Sequence, residues 1–212
     1  LLKKLDDHHY QAMVTPGKLF KIGAQIDLND KISFYVSEIL EDGTRILDFF
    51  SFIDHFILAN ELKRLGRLPV PPYIKQKIRD YQEYQTVYAK TDGSIAAPTA
   101  GFHFTPELLE KLEKQGVEIQ KVLLHVGRGT FLPVKSENIS DHVMHEEWFS
   151  LSAECAERLN LAKKEGRRII AVGTTSVRVL ESSCIKGKFQ AKSTETKIFI
   201  HPGYQWQAVD AL

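Results

Sequence analysis

Apolar positions over the first 60 residues come in short runs. Ala12-Met13-Val14, Lys18-Leu19-Phe20, Ala24-Gln25-Ile26-Asp27-Leu28 and Ile32-Ser33-Phe34-Tyr35-Val36 are separated by turn chemistry at Pro16-Gly17, Asn29-Asp30 and Asp42-Gly43. Runs this short and closely spaced predict strands of a small antiparallel barrel or sandwich. From residue 50 the spacing turns helical, with Phe52, Phe56, Leu58, Leu62 and Leu65 in step, although a strand could claim the first residues. Leu68-Pro69-Val70-Pro71-Pro72-Tyr73 then stops both patterns, because proline fixes its own φ and restricts its predecessor. A domain boundary is placed there, giving a β-barrel-like domain over 1–68 and an α/β domain over 69–212.

Beyond the boundary, helix and strand signals alternate. A short charged helix is predicted over 74–84. Thr105-Pro106-Glu107-Leu108 combines an N-cap, a first-turn proline and an acid against the helix dipole, and Gly116 marks the stop. A buried strand is predicted over 117–126, a helix from Ser152 to near Gly166, and a strand over 168–173. A helix follows from Thr174 to Ser183, and Lys197-Ile198-Phe199-Ile200 forms a last strand before Pro202-Gly203. This alternation predicts a mixed α/β domain with helices packed on a sheet.

Composition narrows the class without naming a function. The 212 residues are 43% hydrophobic and 26% charged, ordinary for a soluble globular chain. No apolar run approaches the roughly 18 residues of a membrane span, and the start has no secretory h-region. Cys155 and Cys184 fit no ligand spacing, so a reduced, cytoplasmic protein without a structural metal is expected. The first residue is Leu1, and the chain is expected to be a fragment whose N-terminus lies upstream. A net charge of +1 does not announce a nucleic-acid binder. Locally there are seven Lys/Arg against three acids over 61–90, and six against one over 158–178. Such clusters are either phosphate contacts or solvated helix faces.

The densest chemistry lies between residues 96 and 146. Four of the eight histidines, His103, His125, His142 and His145, fall within it among small residues, threonines and aromatics. His142, His145 and Glu146 form a tight trio without HEXXH spacing, which favours acid/base work or substrate hydrogen bonding over metal. His125 ends an apolar strand, where it is either a satisfied core group or a site residue. Gly127-Arg128-Gly129-Thr130 implies a close backbone approach or a tight turn. Gly173-Thr174-Thr175-Ser176-Val177-Arg178 lies at a strand-to-helix turn, where ligands bind in α/β sheets, although Thr174 and Thr175 could simply cap the helix. Arg178 is placed either to pair with Glu181 or to anchor a carboxylate or phosphate. No P-loop and no Gly-x-Ser-x-Gly elbow is present.

Several of these runs together resemble a known family. Tyr84-Gln85-Thr86-Val87-Tyr88-Ala89-Lys90 and Ala97-Pro98-Thr99-Ala100-Gly101-Phe102-His103-Phe104 are similar to the signature of the S-adenosylmethionine:tRNA ribosyltransferase-isomerases of queuosine biosynthesis. Runs over 124–134, 142–148, 173–182 and 199–204 resemble the same family in the same order. The resemblance implies transfer and rearrangement of the ribosyl moiety of S-adenosylmethionine. The acceptor is 7-aminomethyl-7-deazaguanine at the wobble position of the tRNAs for Asp, Asn, His and Tyr. Epoxyqueuosine forms, and adenine and methionine are released. It also implies an α/β domain with a smaller inserted β-barrel, no metal or redox cofactor, and S-adenosylmethionine consumed as a substrate. No membrane partner is expected, and the protein is expected to be a monomer. The family's Asn-Thr-Arg segment near its start and its Thr-Asn-Phe-His-Leu-Pro run are expected outside this chain, so part of the site and sheet is expected there too. Arg128 stands where the family usually has a small or apolar residue.

The reaction calls for a base beside the sulfonium, a donor for departing adenine and donors for ribose oxygens. His145, oriented by Glu146, is the candidate base or acid, with His103 and His125 as competitors. Thr99, Gly127, Gly129, Thr130, Thr174, Thr175 and Tyr204 are candidate substrate contacts, and Arg178 is a candidate anion anchor. The competing reading is a noncatalytic RNA- or protein-binding module in which the histidines are structural. A generic S-adenosylmethionine-dependent methyltransferase is a third, weakened by the lack of a glycine-rich loop opening a βαβ unit.

Overall fold

The computed structural model describes residues 1–50, 54–67, 70, 74–75, 81–91, 93–127, 144 and 146–212. The chain divides into two compact units, Leu1–Leu68 and Pro69–Leu212.

In the first unit, β1 (Lys3–Lys4), β2 (His9–Ala12), β3 (Gln25–Asp27), β4 (Ser33–Ile39) and β5 (Arg45–Asp48) form one sheet. Its order is β1-β2-β5-β4-β3, with every neighbour antiparallel. The two outer strands, β1 and β3, do not pair, so the sheet is open among the described residues and no closed barrel is seen. Strand alternation in β4 buries Phe34 and Val36 on one face. The register slips between Val36 and Glu38, leaving Ser37 as the extra residue of a bulge, and its hydroxyl donates to the Ile46 carbonyl at 3.2 Å. Helix α1 (His55–Leu65) is capped by the Asp54 carboxylate, which accepts from the N–H groups of Phe56 and Ile57. It contributes Leu58 to a core of Ala12, Ile32, Phe34, Val36, Leu47 and Phe49. Phe49 takes Tyr10 edge-on with ring centres 5.5 Å apart, a geometry aromatic pairs favour. Lys18 and Leu19, expected in a strand, instead lie in a 3-10 turn (Gly17–Leu19), a shape their apolar content does not distinguish from a strand.

The second unit is mixed α/β. Helix α2 (Pro106–Lys114) starts on Thr105, whose hydroxyl accepts from Leu108 N–H, and Gly116 follows it at φ 85°. Strands β6 (Leu123–Leu124) and β7 (Glu147–Leu151) pair antiparallel. Helix α3 (Ala153–Lys164) is capped by Ser152, and α4 (Thr174–Ser183) follows. A short hairpin joins β8 (Cys184–Ile185) to β9 (Lys188–Phe189) before β10 (Lys192–Thr196) returns against β7. The three-stranded sheet is ordered β10-β7-β6. Helix α4 packs on all three strands. Leu124, Val126, Phe149, Leu151, Val177, Val179 and Leu180 form the heart of its core. Asn160 of α3 holds β9 by a two-sided clasp, accepting from Phe189 N–H and donating to its carbonyl.

Several predicted strands differ. Residues 168–173 form only an isolated parallel bridge, Ile170 to Ala211, because their neighbour is the short 209–211 segment. The last strand lies at Lys192–Thr196 rather than over 197–200. The strand expected over 117–126 is confined to Leu123–Leu124, with further backbone bonds from His125 N–H to Trp148 carbonyl and from Ile95 N–H to Val126 carbonyl. Of the helix expected over 74–84, Tyr81–Tyr84 is a 3-10 turn, and residues 76–80 lie outside the described residues.

Candidate active site

Helix α4 begins at a residue only glycine suits. Gly173 has φ 85° and ψ 154°, a region side-chain-bearing residues essentially avoid. A Cβ there would stand 3.4 Å from Ala100 Cβ, so the helix start touches the 3-10 turn Thr99–His103. Gly173 offers no side chain to the first helical N–H groups, which therefore keep their partial positive charge beside that turn. Thr174 is exposed and Thr175 half-buried, and neither hydroxyl bonds to another described residue. Neither is the N-cap. Ser176 turns back to donate to Val172 carbonyl at 2.9 Å.

The Thr99–His103 turn is braced from behind. Gly101 is buried, and a Cβ on it would fall 2.0 Å from Tyr88 Oη and 2.7 Å from Thr86 Cγ2. Tyr84 meets Phe102 edge-on at 5.2 Å. The two sequence runs over 84–90 and 97–104 thus pack on each other, leaving Thr99 and His103 exposed.

A second group centres on Glu147, at the start of β7. Its carboxylate accepts from Gly127 N–H at 2.9 Å through Oε1 and pairs with the Arg178 guanidinium through Oε2. Arg178 also donates to Thr196 carbonyl at 3.4 Å. The side chains are 7% and 16% exposed, so this ion pair is largely desolvated. Arg178 therefore pairs with Glu147 rather than with Glu181, one turn along its own helix. Glu147 was not among the predicted residues. The alternation that turns Glu147, Phe149 and Leu151 inward is the signal that would have found it.

His125 occupies the other face. Its ring lies 5.0 Å from Trp148 at 26°, and a Cβ on Gly93 would approach it to 2.7 Å. Its buried Nδ1 has no partner among the described residues. The structure thus separates His125 from the Arg178 face of the sheet. Glu146 bonds outward to Lys197 Nζ at 2.6 Å, which holds its carboxyl below the ordinary value. His145, Gly129 and Thr130 lie outside the described residues, as do Arg128 and His142. The expected pairing of Glu146 with His145 falls there too.

Tyr204 has a partner within the fold. Its hydroxyl donates to Glu181 Oε2 at 3.1 Å, and burial together with the Glu181 charge pushes its pKa up to about 12. Much of the basic run over 158–178 is likewise engaged. Arg158 and Arg167 converge on Glu118 at 2.6 and 2.9 Å, and Lys163 donates to Gln207 carbonyl. Hydrogen bonds from the two arginines bring Glu118 from 4.5 down to about 2. A lowered carboxyl contributes stability in full above its unfolded value and loses it as pH falls toward the folded one. The stability gap between wild type and Glu118→Gln is thus expected to shrink from pH 7 to pH 3. Urea midpoints at both pH values measure it, and a gap unchanged with pH would show that the ion pairs contribute nothing.

Among the described residues no group of three His, Cys, Asp or Glu is arranged to hold a metal ion, and no helix is long and apolar enough to cross a membrane. What the geometry offers is an uncapped helix start and free threonine hydroxyls beside a braced turn, with a buried ion pair behind them. That arrangement suits an anionic or polyhydroxylated ligand.

The chain belongs to the queuosine biosynthesis protein family, whose model matches residues 1–212. It is 46% identical over 214 residues to the S-adenosylmethionine:tRNA ribosyltransferase-isomerase of Desulfitobacterium hafniense. It is 45% identical over 216 residues to the proteins of that name from Carboxydothermus hydrogenoformans and Clostridioides difficile. In each case all of this chain is covered and 62% of the relative, so the chain spans less than two thirds of their length. The crystal structure of S-adenosylmethionine tRNA ribosyltransferase from Thermotoga maritima is 28% identical and has a TM-score of 0.41. The match covers 99% of this chain and 56% of that one.

Proposed function

We propose that the full-length protein is an S-adenosylmethionine:tRNA ribosyltransferase-isomerase. It transfers and rearranges the ribosyl moiety of S-adenosylmethionine onto 7-aminomethyl-7-deazaguanine at the tRNA wobble position and releases adenine and methionine. The observation that carries this reading is the likeness across all 212 residues, at 45–46% identity, to relatives bearing that name. The start of α4 beside the Thr99–His103 turn supports it, since free N–H and hydroxyl donors suit ribose oxygens and a methionine carboxylate. His145, His103 and His125 are the candidate acid/base residues, with Glu146 orienting His145. Thr99, Gly127, Gly129, Thr130, Thr174, Thr175 and Tyr204 remain substrate-contact candidates. The substrates are the tRNAs for Asp, Asn, His and Tyr, no cofactor is used, and the protein works as a cytoplasmic monomer. The open sheet of the first unit is read as part of a barrel-like accessory domain.

The test incubates full-length protein with S-adenosylmethionine and tRNA carrying the deazaguanine precursor. Adenine release is expected. S-adenosylhomocysteine would mark a methyltransferase instead, and bound tRNA with neither product would mark a binding module.

A further inference from the structure

Glu147 has two oxygens with two different tasks. Oε1 receives the N–H of Gly127, where the chain leaves β6, and Oε2 faces Arg178 on α4. Gly127 has no side chain to anchor it; the carbonyl side of its peptide, at Val126, accepts from Ile95 N–H, and Glu147 holds the N–H side. A carboxylate this deeply buried needs a compensating charge, and Arg178 supplies it while being steadied by the Thr196 carbonyl. Arg178 stands one helical turn from Thr174 and Thr175, on the same side of α4. One carboxylate therefore ties β7 to the exit of β6, to the end of β10 and to the helix whose first turn is left uncapped.

We propose that Glu147 is the positioning residue of the site: it fixes Gly127 and the first turn of α4 in one mutual geometry. The inference rests on the ribosyltransferase reading and names the residue that orders its site. Glu147 need not touch substrate. Its effect passes through Gly127 and Arg178.

Glu147→Gln and the double variant Glu147→Gln/Arg178→Met separate positioning from stability in the full-length protein. The single variant leaves Arg178 buried without its countercharge and is expected to melt lower than wild type. The double variant removes that charge, so its melting temperature is expected to recover. The kcat/KM for S-adenosylmethionine is nevertheless expected to stay about tenfold to a hundredfold below wild type in both, the scale on which small misplacements act. Recovery of both stability and activity in the double variant would overturn the proposal and make the pair merely structural. A readout that needs no turnover is hydrogen exchange at the Gly127 amide. It is expected to speed up at least about tenfold in Glu147→Ala, as local protection is lost, and unchanged exchange would overturn the clamp. If wild-type protein released no adenine, the ribosyltransferase reading would fail, while the exchange measurement would still decide the clamp.

Discussion

Glu181→Ala is expected to cost on the order of 3–5 kcal/mol of stability in the full-length protein. The carboxylate is buried on α4 and accepts from four donors: the N–H groups of Gln207, Ala208 and Val209 at 3.0–3.1 Å and the Tyr204 hydroxyl. Each donor left without a partner costs about 1–3 kcal/mol where water cannot reach it, and partial relaxation keeps the sum below the full four-fold total. The damage spreads because the following residues complete the core. Ala208 is buried, Asp210 N–H donates to Ile169 carbonyl, and Ala171 N–H donates to Ala211 carbonyl. Glu181→Gln, which keeps one acceptor oxygen but turns an amide toward the remaining donors, is expected to recover only part of the loss. Urea unfolding measures both, and a loss below about 1 kcal/mol for the alanine variant would show that the 204–209 segment holds without this carboxylate.

Gly101→Ala is expected to disturb the site through sterics alone, since Gly101 is not among the glycines with positive φ. The new methyl would lie 2.0 Å from Tyr88 Oη, 2.9 Å from Tyr88 Cζ and 2.7 Å from Thr86 Cγ2. No real carbon tolerates those distances, so either the Thr99–His103 turn or the Tyr88 ring must move. Overpacking of this kind costs about 1–3 kcal/mol. Activity should fall more than stability, because the displaced turn is the one that meets Gly173. Tyr88→Phe removes the worst contact and leaves the other two. In the Gly101→Ala background it should recover part of the stability, so that the double variant loses less than the two single losses added together. Strict additivity would show that Tyr88 is not what the methyl strikes.

The parts of the fold that could be read from sequence are those governed by local chemistry. Helix α4 runs from Thr174 to Ser183, as expected of the segment that follows the glycine at 173, and α2 and α3 start on the caps Thr105 and Ser152. The strands were harder because pairing is non-local. Residues 168–173 are apolar and β-branched, yet they gain only the 209–211 segment as neighbour. Lys192-Ser193-Thr194-Glu195-Thr196 is polar and carries no strand signal, yet every one of its residues pairs with β7, and only Thr196 is buried. The same limit explains the site. The turn at 173–175 announced itself through glycine and hydroxyls. The role of Glu147 is defined by partners 20 and 31 positions away, which no local pattern around it reveals. Tyr204 is a candidate substrate contact in the sequence, and only the fold shows its hydroxyl on Glu181.

The ribosyltransferase reading makes one demand that no alternative shares, which is that the ribose carbons of S-adenosylmethionine end up in the tRNA. Full-length protein, S-adenosylmethionine labelled in the ribose and precursor tRNA in a single turnover test it directly. The label should enter the tRNA in step with release of adenine and methionine in equal amounts. Label recovered in S-adenosylhomocysteine, or left in unreacted S-adenosylmethionine while the tRNA stays bound, would contradict it.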